Sequence, residues 1–142
     1  MGISWKIHEN ENLVSVSLFG QSSLLETVDS FRALDADPKF DSSMRRLYIC
    51  ADNLEDGPGL DSTRGAFTDV LAHQVVKMFD HPAPVAFVYK KGNAVAADRF
   101  TVTARVCDEI YMKDGLGPME RAAFSDLAPA LKWLDLDPDF KP

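Results

Sequence analysis

The strongest constraint on the fold is the hydrophobic period, which changes along the chain. Near the start, apolar residues alternate with polar ones, namely Ile3, Trp5, Ile7, Val14, Val16 and Leu18. A period of two is typical of half-buried strands, and the turn-forming residues 9–12 predict that the two runs pair as an antiparallel hairpin. We expect one face of the hairpin to be covered and the other, with His8, Ser15 and Ser17, to face water.

After the hairpin, helical and strand patterns alternate. Helices are predicted at about 23–35, 61–79, 94–106 and 126–134. Ser23 and Glu26 form a capping-box pattern at the first, and Ser125 is the expected cap of the last. The second has an apolar stripe of Phe67, Val70, Leu71, Val75 and Met78. Further strands are predicted at 47–51, 85–89 and 109–112, of which the first two are continuous apolar runs typical of buried parallel strands.

This alternation predicts the fold class. The order β-β-α-β-α-β-α-β-α favours an α/β protein with a five-stranded, mainly parallel sheet, an N-terminal antiparallel hairpin and four helices. A chain of 142 residues with 46% hydrophobic side chains can bury one substantial core, so residues 1–142 are interpreted as a single domain. We expect residues 135–142 to be a frayed acidic tail, and helix cover to be weakest over the hairpin edge.

Charge and hydropathy narrow the classes of partner and compartment. With 15 basic and 22 acidic residues the net charge is −7, which argues against a nucleic-acid partner and favours a basic or neutral partner surface. No apolar run approaches the roughly 20 residues of a membrane span, and the start lacks the apolar core of a signal peptide. Cys50 and Cys107 show no metal-type spacing and are predicted to be reduced core thiols. These features predict a cytoplasmic protein.

Three punctuating features accompany the element order: Gly20 closes the second strand, Asp37–Pro38 follows the first helix, and residues 130–134 read Ala-Leu-Lys-Trp-Leu. The pattern resembles the SpoIIAA-like (STAS-like) proteins of bacteria over roughly residues 13–134. The resemblance implies a STAS-related sheet in a small stand-alone protein, most relatives having no assigned activity. Better-understood relatives, the anti-sigma factor antagonists, dock a partner kinase, and CRAL-TRIO domains of similar fold carry lipids.

The antagonists are switched off by phosphorylation at the start of the second helix, in an Asp-Ser-x-Gly-Leu pattern. Residues 60–67 of this chain read Leu-Asp-Ser-Thr-Arg-Gly-Ala-Phe, with one residue too many before the glycine and no leucine after it. The resemblance therefore points to Ser62, then Thr63, as phospho-switch candidates. The alternative is that Asp61 and Ser62 only cap the helix. Nearby acidic residues would repel a phosphate, and only Arg64 is close enough in sequence to bind it.

Ligands of open α/β sheets usually bind beyond the carboxyl ends of the strands, which places the candidate loops at residues 20–22, 52–60, 90–93 and 113–118. The second loop holds the acidic residues Asp52, Glu55, Asp56 and Asp61. Acidic oxygens suit Mg²⁺ or Ca²⁺, but the spacing is not that of an EF-hand. Residues 90–93 precede a helix and could hold an anion, although no phosphate-loop motif is present. We nominate no metal ligand and no cofactor.

The chain has three histidines, the residue type most often used as a general base. His73 is predicted to be exposed, one turn from both Asp69 and Lys77, with no nucleophile beside it in sequence. No motif with a fixed mechanism occurs, so we nominate no catalytic residue and expect a protein that is not an enzyme. The alternative, a hydrolase or transferase, needs a pocket that gathers His73, His81 or Asp52 with a nucleophile.

The leading functional hypothesis is a STAS-like binding or regulatory module that acts through protein–protein contact. Its predicted partner surface is the second helix with the preceding loop, including Asp61, Arg64, Val76 and Phe79. A homodimer through this patch or through the hairpin edge is a second form of the same hypothesis. The alternative from another class is a carrier of a small apolar or lipid-like ligand, held in a cavity beneath the second and third helices.

Overall fold

The computed structural model describes residues 2–56 and 64–142, and a five-stranded mixed sheet forms their centre. The strands in chain order are β1 (Ile3–His8), β2 (Leu13–Leu18), β3 (Gln21–Ser22), β4 (Arg45–Cys50), β5 (Glu55–Asp56), β6 (Val85–Val88) and β7 (Arg121–Phe124). β1 pairs antiparallel with β2, and the main sheet continues in parallel through β4, β6 and β7. The short strands β3 and β5 form a separate parallel pair. The predicted hairpin and mainly parallel sheet are confirmed.

Four helical units accompany the sheet in the described residues. The helices are α1 (Leu24–Ala36), α2 (Arg64–Met78), α3 (Ala94–Asp98), α4 (Ala104–Lys113) and α5 (Leu127–Trp133). A π-helical turn, Arg99–Thr103, joins α3 to α4, so these two form one continuous unit. The cap of α1 is as predicted, since Ser23 Oγ accepts from Glu26 N at 3.2 Å. Asp126, not the predicted Ser125, is the N-cap of α5.

None of the helices in residues 2–56 and 64–142 is both long enough and apolar enough to cross a membrane.

The strand predicted at residues 109–112 is wrong. These residues belong to α4, because Ala104, Cys107 and Tyr111 are spaced at helical intervals and are all buried against the core. The fifth strand is instead Arg121–Phe124, which pairs with β6. Its sequence, Arg-Ala-Ala-Phe, has neither alternation nor β-branched residues, so the pattern alone did not indicate a strand. The predicted order of the main elements nevertheless holds.

Strand order in the main sheet follows the chain, β1-β2-β4-β6-β7. Each crossover therefore adds a strand to the same side, and right-handed crossovers place α1, α2 and the α3–α4 unit on one face. The larger core cluster lies between that face and those helices, and includes Val14, Val16, Leu18, Phe31, Leu34, Tyr48, Leu71, Val75, Met78, Phe79, Phe87 and Tyr111. The order never reverses along the sheet.

The opposite face is covered by α5 and by the C-terminal segment. Its smaller cluster comprises Leu13, Leu47, Ala86, Val88, Ala130, Leu131 and Leu134, with Leu136 and Phe140 packed against it. Helix cover is thus unequal between the faces, as expected. The prediction of a frayed tail is wrong, however, because the Leu136 and Phe140 side chains pack against this cluster. In addition, Leu136 N donates to Leu131 O at 2.8 Å.

The tail also overturns the predicted wet face of the hairpin. His8 and Ser15 are both buried, with His8 Nε2 2.9 Å from Ser15 Oγ. The Phe140 ring meets the His8 ring edge-on, with centroids 4.7 Å apart. Only Ser4 and Lys6 of β1 remain exposed on that side. His8 and Ser15 therefore form a buried pair instead of facing water, and Ser17 is partly buried.

Candidate functional site

The carboxyl edge of the sheet was the predicted place for a site. The loops that follow β2, β4 and β6 do meet there and are bonded to one another. Gly20 N donates to Asn53 Oδ1 at 3.1 Å, Glu55 N donates to Gly20 O at 3.0 Å, and Asn93 Nδ2 donates to Ala51 O at 3.3 Å. An open α/β sheet binds ligands where its strand order reverses, and this sheet has no such point. At this edge the three loops are hydrogen-bonded to one another and form one surface.

The charged groups predicted at this edge are dispersed. Asp52, Lys90 and Lys91 are exposed, and Glu55 Oε1 accepts from Gln21 Nε2 at 3.0 Å. Residues 113–118 are misplaced by the prediction, because they precede β7 and so lie at the opposite edge. The described residues contain no group of three His, Cys, Asp or Glu arranged to hold a metal ion. Of the predicted acidic group, Asp61 and the Asp56 side chain are outside the described part.

The residues predicted around the start of the second helix are only partly described. Asp61, Ser62 and Thr63 lie outside the described residues, so the phospho-switch stays a prediction. Arg64 begins α2, but its side chain is also outside the described part. Val76 is partly buried against the larger core cluster. The expected exposure of Phe79 is wrong: its side chain is fully buried. Phe79 is therefore not accessible to a partner.

A surface groove runs between α1 and α2. Its lining residues are Val28, Arg32, Asp69, Val70, His73, Gln74 and Lys77, and its volume is about 410 Å³. Val70, predicted in the core stripe, is 45% exposed, because it lies about 140° around the helix from the buried Val75. Leu25 is 67% exposed and precedes Val28 by three positions, which places it on the same side of α1. We call this surface, with Leu25, the α1–α2 groove.

His73 lies in the α1–α2 groove and is exposed, as predicted. Its Nδ1 is 2.8 Å from the Asp69 carbonyl oxygen and 3.7 Å from the Asp69 carboxylate. Its described contacts are with Asp69 and include no Ser, Thr or Cys. His81 is exposed beyond the end of α2, and Asp52 is exposed beyond β4. The described structure does not gather these three side chains into one pocket.

A second cavity lies between the sheet and the crossover helices α1, α2 and α3–α4. Its volume is about 50 Å³, and its lining residues are Leu18, Phe31, Arg46, Tyr48, Leu71, Val75, Val85, Phe87, Arg99, Thr103, Ala104, Cys107 and Met119. We call it the core cavity. Two of these residues are arginines that are themselves buried, Arg46 at 2% exposure and Arg99 at 8%.

Sequence reasoning missed Arg46, although a signal was present. β4 begins with Arg45 and Arg46, before its apolar run. Two arginines at the start of a strand are the pattern expected of a strand end that is exposed to water. Alternation along the strand, however, places Arg46 on the same face as Tyr48 and Cys50. That face is covered by the crossover helices. Extending the strand pattern two residues back would therefore have predicted a buried cation.

The buried thiols Cys50 and Cys107 and the phenol of Tyr48 stay neutral at physiological pH. Burial raises the pKa of both Cys50 and Cys107 to about 11. Burial also raises the pKa of Tyr48, despite the opposing effect of the neighbouring Arg46. Both cysteines are buried and unbridged, as predicted. The positive charge of Arg46 is therefore not balanced by a thiolate or a phenolate.

Comparisons with known proteins did not assign the chain to a family. It matches no family model, no curated protein and no solved structure. The α1–α2 groove and the core cavity are therefore the features from which function can be argued.

Proposed function

We propose that this protein is a binding module that contacts a partner protein through the α1–α2 groove. The observation that carries the proposal is the exposure of Leu25 and Val70. In the part of the chain that the structure describes, only three large apolar side chains are exposed; of these Val70 lines the groove, and Leu25 lies on α1 one turn before the lining residue Val28. Clustered apolar surface on a folded domain usually marks a contact.

Charge indicates what kind of partner fits. Among its described lining residues the groove presents Arg32 and Lys77 beside one acid, Asp69, whose carboxylate lies 3.7 Å from His73 Nδ1. The preferred partner segment therefore has an apolar anchor beside an acidic side chain. The local charge differs from the net charge of −7, which alone had favoured a basic partner. Two copies of so acidic a chain repel each other, which favours a different protein over a homodimer.

The proposal includes kinship with the SpoIIAA-like (STAS-like) proteins and a regulatory role. The mixed five-stranded sheet with an antiparallel edge strand supports the kinship, as does Trp133 in α5. Ser62 and Thr63 immediately precede α2 in the sequence, and α2 forms one wall of the groove, so we propose that a phosphate on either would affect docking. The buried free thiols Cys50 and Cys107 support action in the cytoplasm.

The other two hypotheses have weaker support. A lipid-like ligand does not fit the core cavity, because about 50 Å³ is roughly a third of the 150 Å³ that encloses a benzene molecule. A hydrolase or transferase has no nucleophile beside His73 in the described residues. Neither is proposed further.

Affinity capture with matched variants tests the docking proposal. Tagged wild-type protein, Val70→Asp and Met112→Asp are each used to retain proteins from lysate of the source cells. Met112 is a matched control, since it is 59% exposed but lies on α4. We expect a protein retained by the wild type and by Met112→Asp and lost with Val70→Asp, which then binds the purified wild type directly. Equal retention by all three variants, or none by the wild type, would contradict the proposal.

A further inference from the structure

Among the described residues, Arg46 is the most deeply buried charged side chain. Its Nη1 donates to the Tyr48 hydroxyl at 3.3 Å, and its Nη2 lies 3.1 Å from the Met119 sulfur, which is a weak acceptor. Nε has no hydrogen-bond partner. The guanidinium also stacks over the Phe79 ring, 4.1 Å from its centroid. A guanidinium has five N–H donors and does not lose its proton in proteins, so this buried group is cationic and under-bonded.

Two other arginines of the protein, both partly buried, have oxygen partners for their guanidinium groups. Arg121 forms an ion pair with Asp108, and Arg45 donates to the carbonyl oxygens of Glu11 and Leu134. In residues 2–56 and 64–142, by contrast, no carboxylate forms an ion pair with Arg46. A buried charge without an opposite charge is strongly destabilising. Arg46 therefore has the properties of a buried cation whose counterion is an anion taken up from solution.

The core cavity provides the space for such an anion. Arg46 lines it together with Arg99, Tyr48 and Thr103, and no Asp or Glu of residues 2–55 and 68–142 belongs to its lining. The lining therefore combines positive charge and hydroxyl donors with apolar walls that include Phe31, Leu71 and Val75.

The helix above the core cavity is irregular at this point. Arg99 and Thr103, both lining residues, are the first and last residues of the π-helical turn between α3 and α4. A π-helical turn inserts an extra residue and changes the direction of the side chains around it. Such turns are rare and occur frequently at functional sites. Cavity, buried cation and π-helical turn thus coincide.

We propose that the core cavity binds a short carboxylate about the size of acetate, with Arg46 as its counterion. A guanidinium pairs with a carboxylate through two parallel N–H···O bonds, and Nε of Arg46 is unused. A volume of about 50 Å³ limits the ligand to a few non-hydrogen atoms, and the apolar walls accept a methyl group. The bound anion would link β4 to α2 and α4, and its binding would stabilise the folded protein.

Thermal unfolding with matched variants tests this site. Wild type, Arg46→Met and the control Arg105→Met, which removes an exposed arginine of α4, are compared at pH 7. Each is melted in increasing sodium acetate, with sodium chloride keeping the ionic strength constant. We expect acetate to raise the Tm of the wild type and Arg105→Met by roughly a few degrees with saturation, and to leave Arg46→Met unchanged. In chloride alone, Arg46→Met should be at least as stable as the wild type, because a buried charge has been removed.

Equal shifts of Tm by acetate in all three proteins would overturn the proposal. A wild-type Tm that is as high in sodium chloride alone as in acetate at the same ionic strength would also overturn it. If Arg46→Met does not fold, the wild type decides the question alone. Saturation transfer from the protein to the acetate methyl group in NMR, unaffected by an equal concentration of benzoate, supports the site because an aromatic ring is too large for about 50 Å³. Absence of transfer overturns it.

Discussion

The side chains of His8 and Ser15 form a polar pair on the sheet face covered by α5 and the C-terminal segment. Burial is the main cause that lowers the pKa of His8, and the charge of Lys6 lowers it further. His8 is therefore neutral in the folded protein at pH values where the unfolded chain begins to take up a proton.

This difference predicts a pH dependence of stability. As the pH falls through about 6.5, the unfolded state binds a proton that the folded state resists, so stability is lost toward low pH. His8→Gln removes this contribution while keeping a side chain able to hydrogen-bond Ser15. Chemical denaturation between pH 7 and 5 should show the wild type losing more stability than His8→Gln. Parallel losses in the two proteins would mean that His8 does not titrate differently on folding.

At this scale the sequence was least informative about which side chains are buried. His8, Ser15 and Arg46 are polar residues in strands, and whether such a residue meets water depends on what covers its face. That cover comes from α5, the tail and the crossover helices, which are distant in sequence. Phe79 shows the same effect, since its position near the edge of a helical stripe gave no indication of the cation packed on its ring.

Of the helix starts, that of α1 was predicted correctly from its local sequence, whereas the cap of α5 was predicted one residue too early. Ser23 was predicted as the N-cap of α1, and its hydroxyl does accept from Glu26 N. Ser23→Ala should therefore lower the free energy of unfolding by about 1 kcal/mol. Asp126 at the start of α5 makes no side-chain cap bond, so Asp126→Ala should change stability by only a few tenths of a kcal/mol. Urea denaturation of both variants measures the difference, and equal losses would contradict the assignment of the caps.

The element that sequence reasoning misplaced was the fifth strand. Residues 109–112 include Ile110 and Tyr111, which favour strands locally, yet the helical spacing from Ala104 onward prevails because it buries Tyr111 completely. Residues 121–124 have little strand propensity and are held by pairing with β6. Both errors arise because tertiary interactions, burial for α4 and strand pairing for β7, outweigh local preference.

On the scale of the whole molecule, the C-terminal segment closes the smaller core cluster. Phe140→Ala should lower the free energy of unfolding by about 1–2 kcal/mol, less than for a fully buried phenylalanine, because Phe140 is only half-buried. The same change should raise the pKa of His8 toward its ordinary value, since His8 loses part of its cover. NMR titration of the His8 ring measures this.

Asp139→Ala is the matched control, because Asp139 is exposed in the same segment. If both variants leave stability and the His8 pKa unchanged, the tail does not pack against the hairpin in solution.

The helices α1 and α2 cover the sheet face that carries the larger core cluster, and their outer sides remain exposed. The α1–α2 groove lies on these exposed sides. The element order and mainly parallel sheet were predictable from periodicity. The groove was not, because it depends on how far Val70 and Leu25 project once two helices are packed side by side. A partner that binds this surface must contact both helices.

The most direct test of the docking account is the affinity of the captured partner for purified variants, measured by titration calorimetry. Val70→Asp places a charge in the apolar part of the groove, and we predict at least a tenfold weaker Kd, about 1.4 kcal/mol. Met112→Asp, which changes an exposed apolar residue of α4, should bind within twofold of the wild type. Equal affinities for wild type and Val70→Asp would contradict the α1–α2 groove as the binding surface.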